Sequence, residues 1–167
     1  MSTDSADLPT YAQVAALPPL VSTVVPTDAI DVNGHMTITR YFARGVEATD
    51  LVCRAVGIDD DYRDARGMSY FTAEHRVRYL AELRLGEAFT VHARAVARAE
   101  KAAHLSVFLL NRARSQVSFA MEVLIIHVDL AQRRATPFPD DVAGRLDALI
   151  ATTDPTGWPS DSAVRIR

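Results

Sequence analysis

The residues of this chain best suited to chemistry are gathered in one stretch, Asp31-Val32-Asn33-Gly34-His35-Met36. It holds a carboxylate, an amide, a glycine and an imidazole, and a helical pattern opens directly afterwards, near Thr37. The first turn of a helix offers N–H groups without intrahelical partners and the positive end of the macrodipole. Such a place can hold an anion or polarise a carbonyl. An acid beside it can deprotonate a water or attack the carbonyl itself. Asp31 suits that task, although Asp-x-x-Gly is also ordinary turn chemistry. His35 could bond the reacting group, hold Asp31 in place or serve the structure alone. Asn33 could orient a water and is equally a standard turn partner of the following glycine. Gly34 permits a close approach of loop to ligand or simply makes the turn.

Other candidates are weaker. Tyr41 lies on the apolar stripe of the helix, so packing is its default, with a hydroxyl aimed at the loop as the alternative. Strict alternation groups Glu74 with Thr72, Arg76 and Arg78, opposite Phe71, Ala73, Val77 and Tyr79. That is a solvated salt-bridge face, unless a bulge changes the facing and brings Glu74 to a site. Glu122 stands in an apolar run and needs a partner if buried. Asp59-Asp60-Asp61 offers three carboxylates, but consecutive side chains diverge and no calcium-loop spacing follows. No metal is expected. Cys53 has no His–Asp arrangement around it and is treated as packing.

The elements that must position these residues follow from periodicity. Residues 1–19 are a leader interrupted by Pro9, Pro18 and Pro19. Leu20 to Val25 is a short strand ended by Pro26. From Ile38 the period becomes helical, with Ile38, Tyr41, Phe42, Gly45, Ala48, Val52 and Val56 on one stripe. Thr37 is placed to cap it and Gly57 to end it. Gly45 and Ala48 would let a sheet approach the helix backbone. Ile58 to Gly67 is acidic and polar and reads as a loop. Strands are expected at Ser69–Leu80, Glu87–Arg98, Ala103–Leu110 and Gln116–Asp129, the last almost wholly apolar from Phe119 to Val128. Their short connectors favour antiparallel neighbours. Asp140 could cap a final helix carrying Val142, Leu146, Leu149 and Ile150. Residues 152–167 read as a tail that Trp158 could anchor. The domain is therefore 20–151, of α+β class, with a curved antiparallel sheet wrapped around a long central helix. Its open edges favour a second copy alongside.

The totals agree with one globular domain. The chain has 167 residues, 49% of them hydrophobic, and a formal net charge of −3. That charge, with no basic run, argues against a nucleic-acid partner. One cysteine excludes an internal disulfide framework. No apolar run has the ~18 residues of a membrane span, and the polar start lacks a signal-peptide pattern. A cytoplasmic protein without membrane contact is expected.

A strand, then Asp31-Val32-Asn33-Gly34-His35-Met36, then a helix with Tyr41 ten residues past the acid, resembles the hotdog-fold acyl-CoA thioesterases. The branch is the one named for 4-hydroxybenzoyl-CoA thioesterase. The stretches Glu74–Glu87 and Ala120–Asp129 are most similar to the thioesterase domains associated with carnitine dehydrogenase, which act on betainyl-CoA. The resemblance runs from about Val21 to Leu146. It implies a hotdog fold, an acyl-CoA substrate and no cofactor. It also implies a homodimer or homotetramer with sites at subunit interfaces. It makes Asp31 the base or nucleophile and the backbone N–H of Ile38, seven residues on, the oxyanion donor. His35 would assist, with Asn33, Gly34, Tyr41 and Glu74 near the substrate. One departure stands out: relatives often carry Asn where Thr37 stands, and a threonine cannot copy an amide's donors.

CoA phosphates would want arginines near the mouth, and Arg76, Arg78, Arg84, Arg112, Arg114, Arg133 and Arg134 are candidates. A cationic acyl group would want carboxylates or aromatics, for which Glu74, Glu122, Tyr41 and Tyr79 are available. Two rival readings stay open. One is an enoyl-CoA hydratase or dehydratase using His35 with Glu74. The other is a non-catalytic hotdog dimer that binds acyl-CoA.

Overall fold

The computed structural model describes residues 8–153. Its element order is α1 (Tyr11–Ala15), β1 (Val21–Val24), α2 (Ile38–Ala55), α3 (Asp60–Arg66), β2 (Met68–Tyr79), β3 (Ala88–Arg98), β4 (Ala102–Asn111), β5 (Gln116–Asp129), β6 (Arg134–Ala135) and α4 (Asp140–Thr153). The strands form one sheet in the order β1-β3-β4-β5-β2, with β6 on β5. Every pairing is antiparallel. The sheet curls around α2, as expected for a hotdog fold.

The core lies between the inner sheet face and α2. Phe89, Val91 and Ala95 of β3, Leu105, Val107 and Leu109 of β4, and Phe119, Met121, Val123 and Ile125 of β5 meet Tyr41, Ala48, Val52 and Cys53 of the helix. The two-residue period of the strands delivers these side chains to one face. Gly45 is a point of close approach. A Cβ there would stand 2.6 Å from Met121 Cε and 3.3 Å from Phe119 Cε1. The expected small-residue contact is thus present.

β4 is buried on both faces, and the reason corrects the reading of the leader. Residues 10–15 form a capped helix: Thr10 Oγ1 accepts from the Gln13 N–H, and the Gln13 side chain reaches back to the Thr10 N–H. Val14 and Leu17 then pack on Phe108, Leu110 and Ala120, on the sheet face away from α2. The prolines bound this helix rather than forbid it. His92, on the same outer face, fixes the segment by donating from Nδ1 to the Leu17 carbonyl at 2.9 Å.

The acidic stretch expected to be a loop is also helical. Asp59 caps α3 by accepting from the Tyr62 N–H at 2.9 Å, and Gly67 ends it in the left-handed region at φ 61°. Asp60 pairs with Arg54 and Arg63. Two of the three aspartates therefore stabilise local structure. Tyr62 reaches the sheet, where its hydroxyl meets His127 Nε2 at 2.8 Å.

α4 begins at Asp140 itself and seats Val142 and Leu146 in the core. Trp158 lies outside the described residues. No helix among the described residues is long and apolar enough to cross a membrane.

Candidate functional site

Residues 31–36 form a closed turn at the mouth of α2. The Gly34 N–H donates to the Asp31 carbonyl at 3.0 Å, and the Asp31 N–H donates to the His35 carbonyl at 3.1 Å. Gly34 takes φ 81°, a left-handed conformation that favours glycine. The turn is anchored below by Met36, whose N–H donates to Leu83 O at 2.7 Å, and by Thr37, whose N–H donates to Ala29 O at 2.9 Å.

Asp31 is half-buried. Its Oδ1 accepts from the Asn33 N–H at 2.8 Å, so it does serve the turn. That bond occupies one carboxylate oxygen and leaves the other available. His35 turns its Nδ1 toward the Met36 carbonyl at 3.2 Å. A carbonyl only accepts, so Nδ1 is the donor in this contact.

The first turn of α2 is left open in a useful way. Thr37 is the N-cap residue, but its side chain makes no capping bond. The N–H groups of Arg40 and Tyr41 go to the Thr37 carbonyl. The amides of Ile38 and Thr39 are outside these bonds, at the positive end of the helix dipole.

Tyr41 is buried in the stripe, and its hydroxyl is aimed at the β2–β3 connector rather than at the 31–36 turn. It donates to Ala81 O at 3.2 Å and accepts from the Leu83 N–H at 2.7 Å. Burial pushes this phenol up to about 12, with the Leu83 hydrogen bond acting the other way and nearby Glu82 and Glu87 adding to it. It stays protonated and ties the β2–β3 connector to the helix.

These features surround a cleft of about 240 Å³, with His35, Ile38, Tyr41, Tyr79, Ala81 and Glu82 in its wall. Three of the sequence candidates, His35, Ile38 and Tyr41, meet there. Asp31 is held by its backbone to His35 on the adjoining turn. Asn33 and Gly34 are exposed at the turn's tip and do not line the cleft.

Glu74 is also exposed and outside the cleft. A register shift does occur between Thr72 and Glu74. Beyond it His75 meets the Phe42 ring of α2 at 4.9 Å, so alternation turns Glu74 to the outer face. Within one protomer the bulge does not bring Glu74 to the helix mouth.

Glu82 was not singled out by sequence. It lies in an irregular connector, where no periodicity says which way a side chain points. Tyr79 carried a usable signal, sharing the inward face with Val77. Of the arginines proposed for phosphates, Arg84 pairs with Glu82 and Arg114 with Glu87. Arg133 lies over the Phe71 ring and Arg112 over Tyr11. A second cleft, about 200 Å³, opens on another flank of α2 between Arg40, Arg44, Met36 and Phe89. Its two arginines were not among the candidates.

Comparison with known proteins adds the family. The profile of the thioesterase-like superfamily matches residues 24–146. The betainyl-CoA thioesterase of Pseudomonas aeruginosa is 31% identical over 127 residues, covering 76% of this chain and 80% of that protein. The L-carnitine dehydrogenase/betainyl-CoA thioesterase of Rhizobium meliloti is 32% identical over 130 residues, 78% of this chain. The match spans only 26% of that longer protein. Among solved structures, a Staphylococcus aureus protein, SAV2348, in complex with CoA superposes with a TM-score of 0.80. It is 23% identical, with 88% of this chain and 92% of that one covered, and shows the fold. The chain therefore belongs to the thioesterase-like superfamily, an enzyme family named for thioester hydrolysis, and it has the hotdog fold.

Proposed function

We propose that this chain hydrolyses an acyl-CoA thioester to the free acid and CoA, and that betainyl-CoA is its substrate. The observation that carries the reading is the helix mouth. The Ile38 and Thr39 amides are outside the helix's own hydrogen bonds, a cleft lined by Ile38 and His35 opens there, and the Asp31 carboxylate stands on the turn that carries His35. The choice of acyl group rests on the relatives, which carry the betainyl-CoA thioesterase name.

In this reading the thioester carbonyl oxygen accepts from the Ile38 N–H. Asp31 takes a proton from water as the water oxygen adds to the carbonyl carbon, or its free oxygen attacks that carbon directly. The C–S bond then breaks and CoA leaves as a thiolate; on the direct-attack route water next cleaves the Asp31–acyl anhydride to release the acid and restore the carboxylate. A thiol's ordinary pKa, about 8.5, makes that a good leaving group without a strong acid. His35 Nε2 is free to bond the reacting region. Tyr41 acts as a positioning residue, because both of its hydroxyl bonds go to the 81–83 connector.

The assembly belongs to the same proposal. β2 is a sheet edge, and Phe71 and Leu80 are 41% and 37% exposed near it. An unpaired edge with apolar side chains invites a second copy. A homodimer would close the open side of the cleft.

The test is free-thiol release from betainyl-CoA. Asp31→Asn is expected to lower kcat by about 10²–10⁴-fold, the usual worth of a positioned acid–base group, while leaving the unfolding temperature unchanged. Full activity in Asp31→Asn would refute the assignment. Hydration of an enoyl thioester gains no support from the protomer, since its required pair, His35 and Glu74, is not brought together.

A further inference from the structure

We infer that Tyr79 and Glu82 form a cation subsite that selects thioesters whose acyl group carries a quaternary ammonium close to the carbonyl. This rests on the helix mouth being the place of hydrolysis. It goes further by assigning the selecting residues and the property they read, which is charge rather than shape.

The first argument is placement. In a 2-ammonioacyl thioester the nitrogen is two bonds from the carbonyl carbon. Anything that recognises the cation must therefore stand beside the group that binds the carbonyl oxygen. Tyr79 does: its hydroxyl donates to the carbonyl of Ile38, at 3.4 Å, the residue whose N–H opens the helix. The ring is steadied by edge-on contacts with Tyr41 at 5.7 Å and Phe119 at 5.4 Å. About half of Tyr79 nevertheless remains open. A fixed, accessible phenol ring is what a quaternary ammonium binds through the negative face of its π system.

The second argument is charge. No lysine or arginine lines the cleft, and its one carboxylate is Glu82. Arg84 donates from Nε and Nη2 to Glu82 Oε2, at 3.2 and 3.1 Å. The pair is about half exposed, which weakens it, and both bonds fall on one oxygen, so Oε1 is the atom that faces a ligand cation. His35 forms another part of the wall, with Nδ1 bound to the Met36 carbonyl. The walls thus present an aromatic face and a negative charge to an incoming acyl group.

The experiment compares kcat/KM for betainyl-CoA with that for 3,3-dimethylbutanoyl-CoA, in which carbon replaces the ammonium nitrogen at the same shape. The wild-type chain is expected to favour the betainyl ester by about tenfold or more, and Tyr79→Leu and Glu82→Gln each to reduce that ratio by about threefold to tenfold. Tyr79→Phe, which keeps the ring, should retain the ratio. Glu82 is exposed, so Glu82→Gln decides the matter if Tyr79→Leu fails to fold. Equal rates on both esters in the wild type would overturn the subsite while leaving hydrolysis standing. So would a ratio that neither Tyr79→Leu nor Glu82→Gln changes. Failure to hydrolyse either ester would sink the hydrolytic reading itself, and the subsite with it.

Discussion

At the scale of single residues, the helix mouth depends on hydroxyl and carboxylate groups that each do more than one thing. Tyr41 is the clearest case. Removing its oxygen in Tyr41→Phe leaves the ring packed against Phe119, 5.8 Å between centroids, but strands the buried Leu83 N–H. An unsatisfied buried donor costs about 1–3 kcal/mol. Thermal unfolding of Tyr41→Phe should show a loss of that size, and kcat should fall as the 81–83 connector loosens. The turn of residues 31–36 ahead of α2 was legible in sequence because Asp31, Asn33 and Gly34 are turn-forming types standing directly before a helical period. The role of the Tyr41 hydroxyl was less so, because its partners lie 40 and 42 residues away. Glu82 was invisible for the same reason: connectors lack the periodicity that assigns facing.

At the scale of elements, the contact of α2 with β5 turns on Gly45. Met121 Cε and Sδ, the nearest atoms to a Cβ placed there, are the end of a flexible side chain. Gly45→Ala should be tolerated, since Met121 can shift and the helix gains about 1 kcal/mol of propensity. Gly45→Val should destabilise by about 1–3 kcal/mol through overpacking, measurable by urea unfolding. The stripe of α2 and the alternation in β3, β4 and β5 were readable because both periods are long and regular. α3 was missed because its seven residues carry one buried side chain, Tyr62, too few to set a period. Its signals were local: Asp59 as a cap, acids in the first turn, arginines in the last and Gly67 after the end. α1 escaped notice for a related reason, being five residues between prolines. Here the Thr10–Gln13 capping box was the overlooked sign.

For the whole molecule, pH acts through buried imidazoles before it reaches the carboxylates. Burial pushes His92, His104 and His127 below the ordinary 6.5. The folded chain therefore favours their neutral form. Above pH 6.5 neither folded nor unfolded chain holds a proton there, and the full stability is present. As pH falls below 6.5 the unfolded chain takes up protons that the folded chain resists, and stability is lost. Asp141 and Asp147 lie below their ordinary 3.8 through hydrogen bonds from Arg66 and Arg98, so their contribution fades only at lower pH. A scan of unfolding temperature should be level near pH 8 and decline below 6.5. His127→Gln, which removes one of the three imidazoles, should make that decline shallower. A flat profile down to pH 4 would contradict the assignment.

The short N-terminal helix has a practical consequence for anyone trimming the chain. Val14 and Leu17 shield Phe108, Leu110 and Ala120, a greasy strip on the back of the sheet. A fragment begun at Leu20 would keep every residue of the helix mouth and still present that strip to water, the kind of surface that makes molecules stick to one another. Such a fragment should light up an environment-sensitive dye and clump on concentration, whereas one begun at Leu8 should stay dispersed. Light scattering on the two would show it.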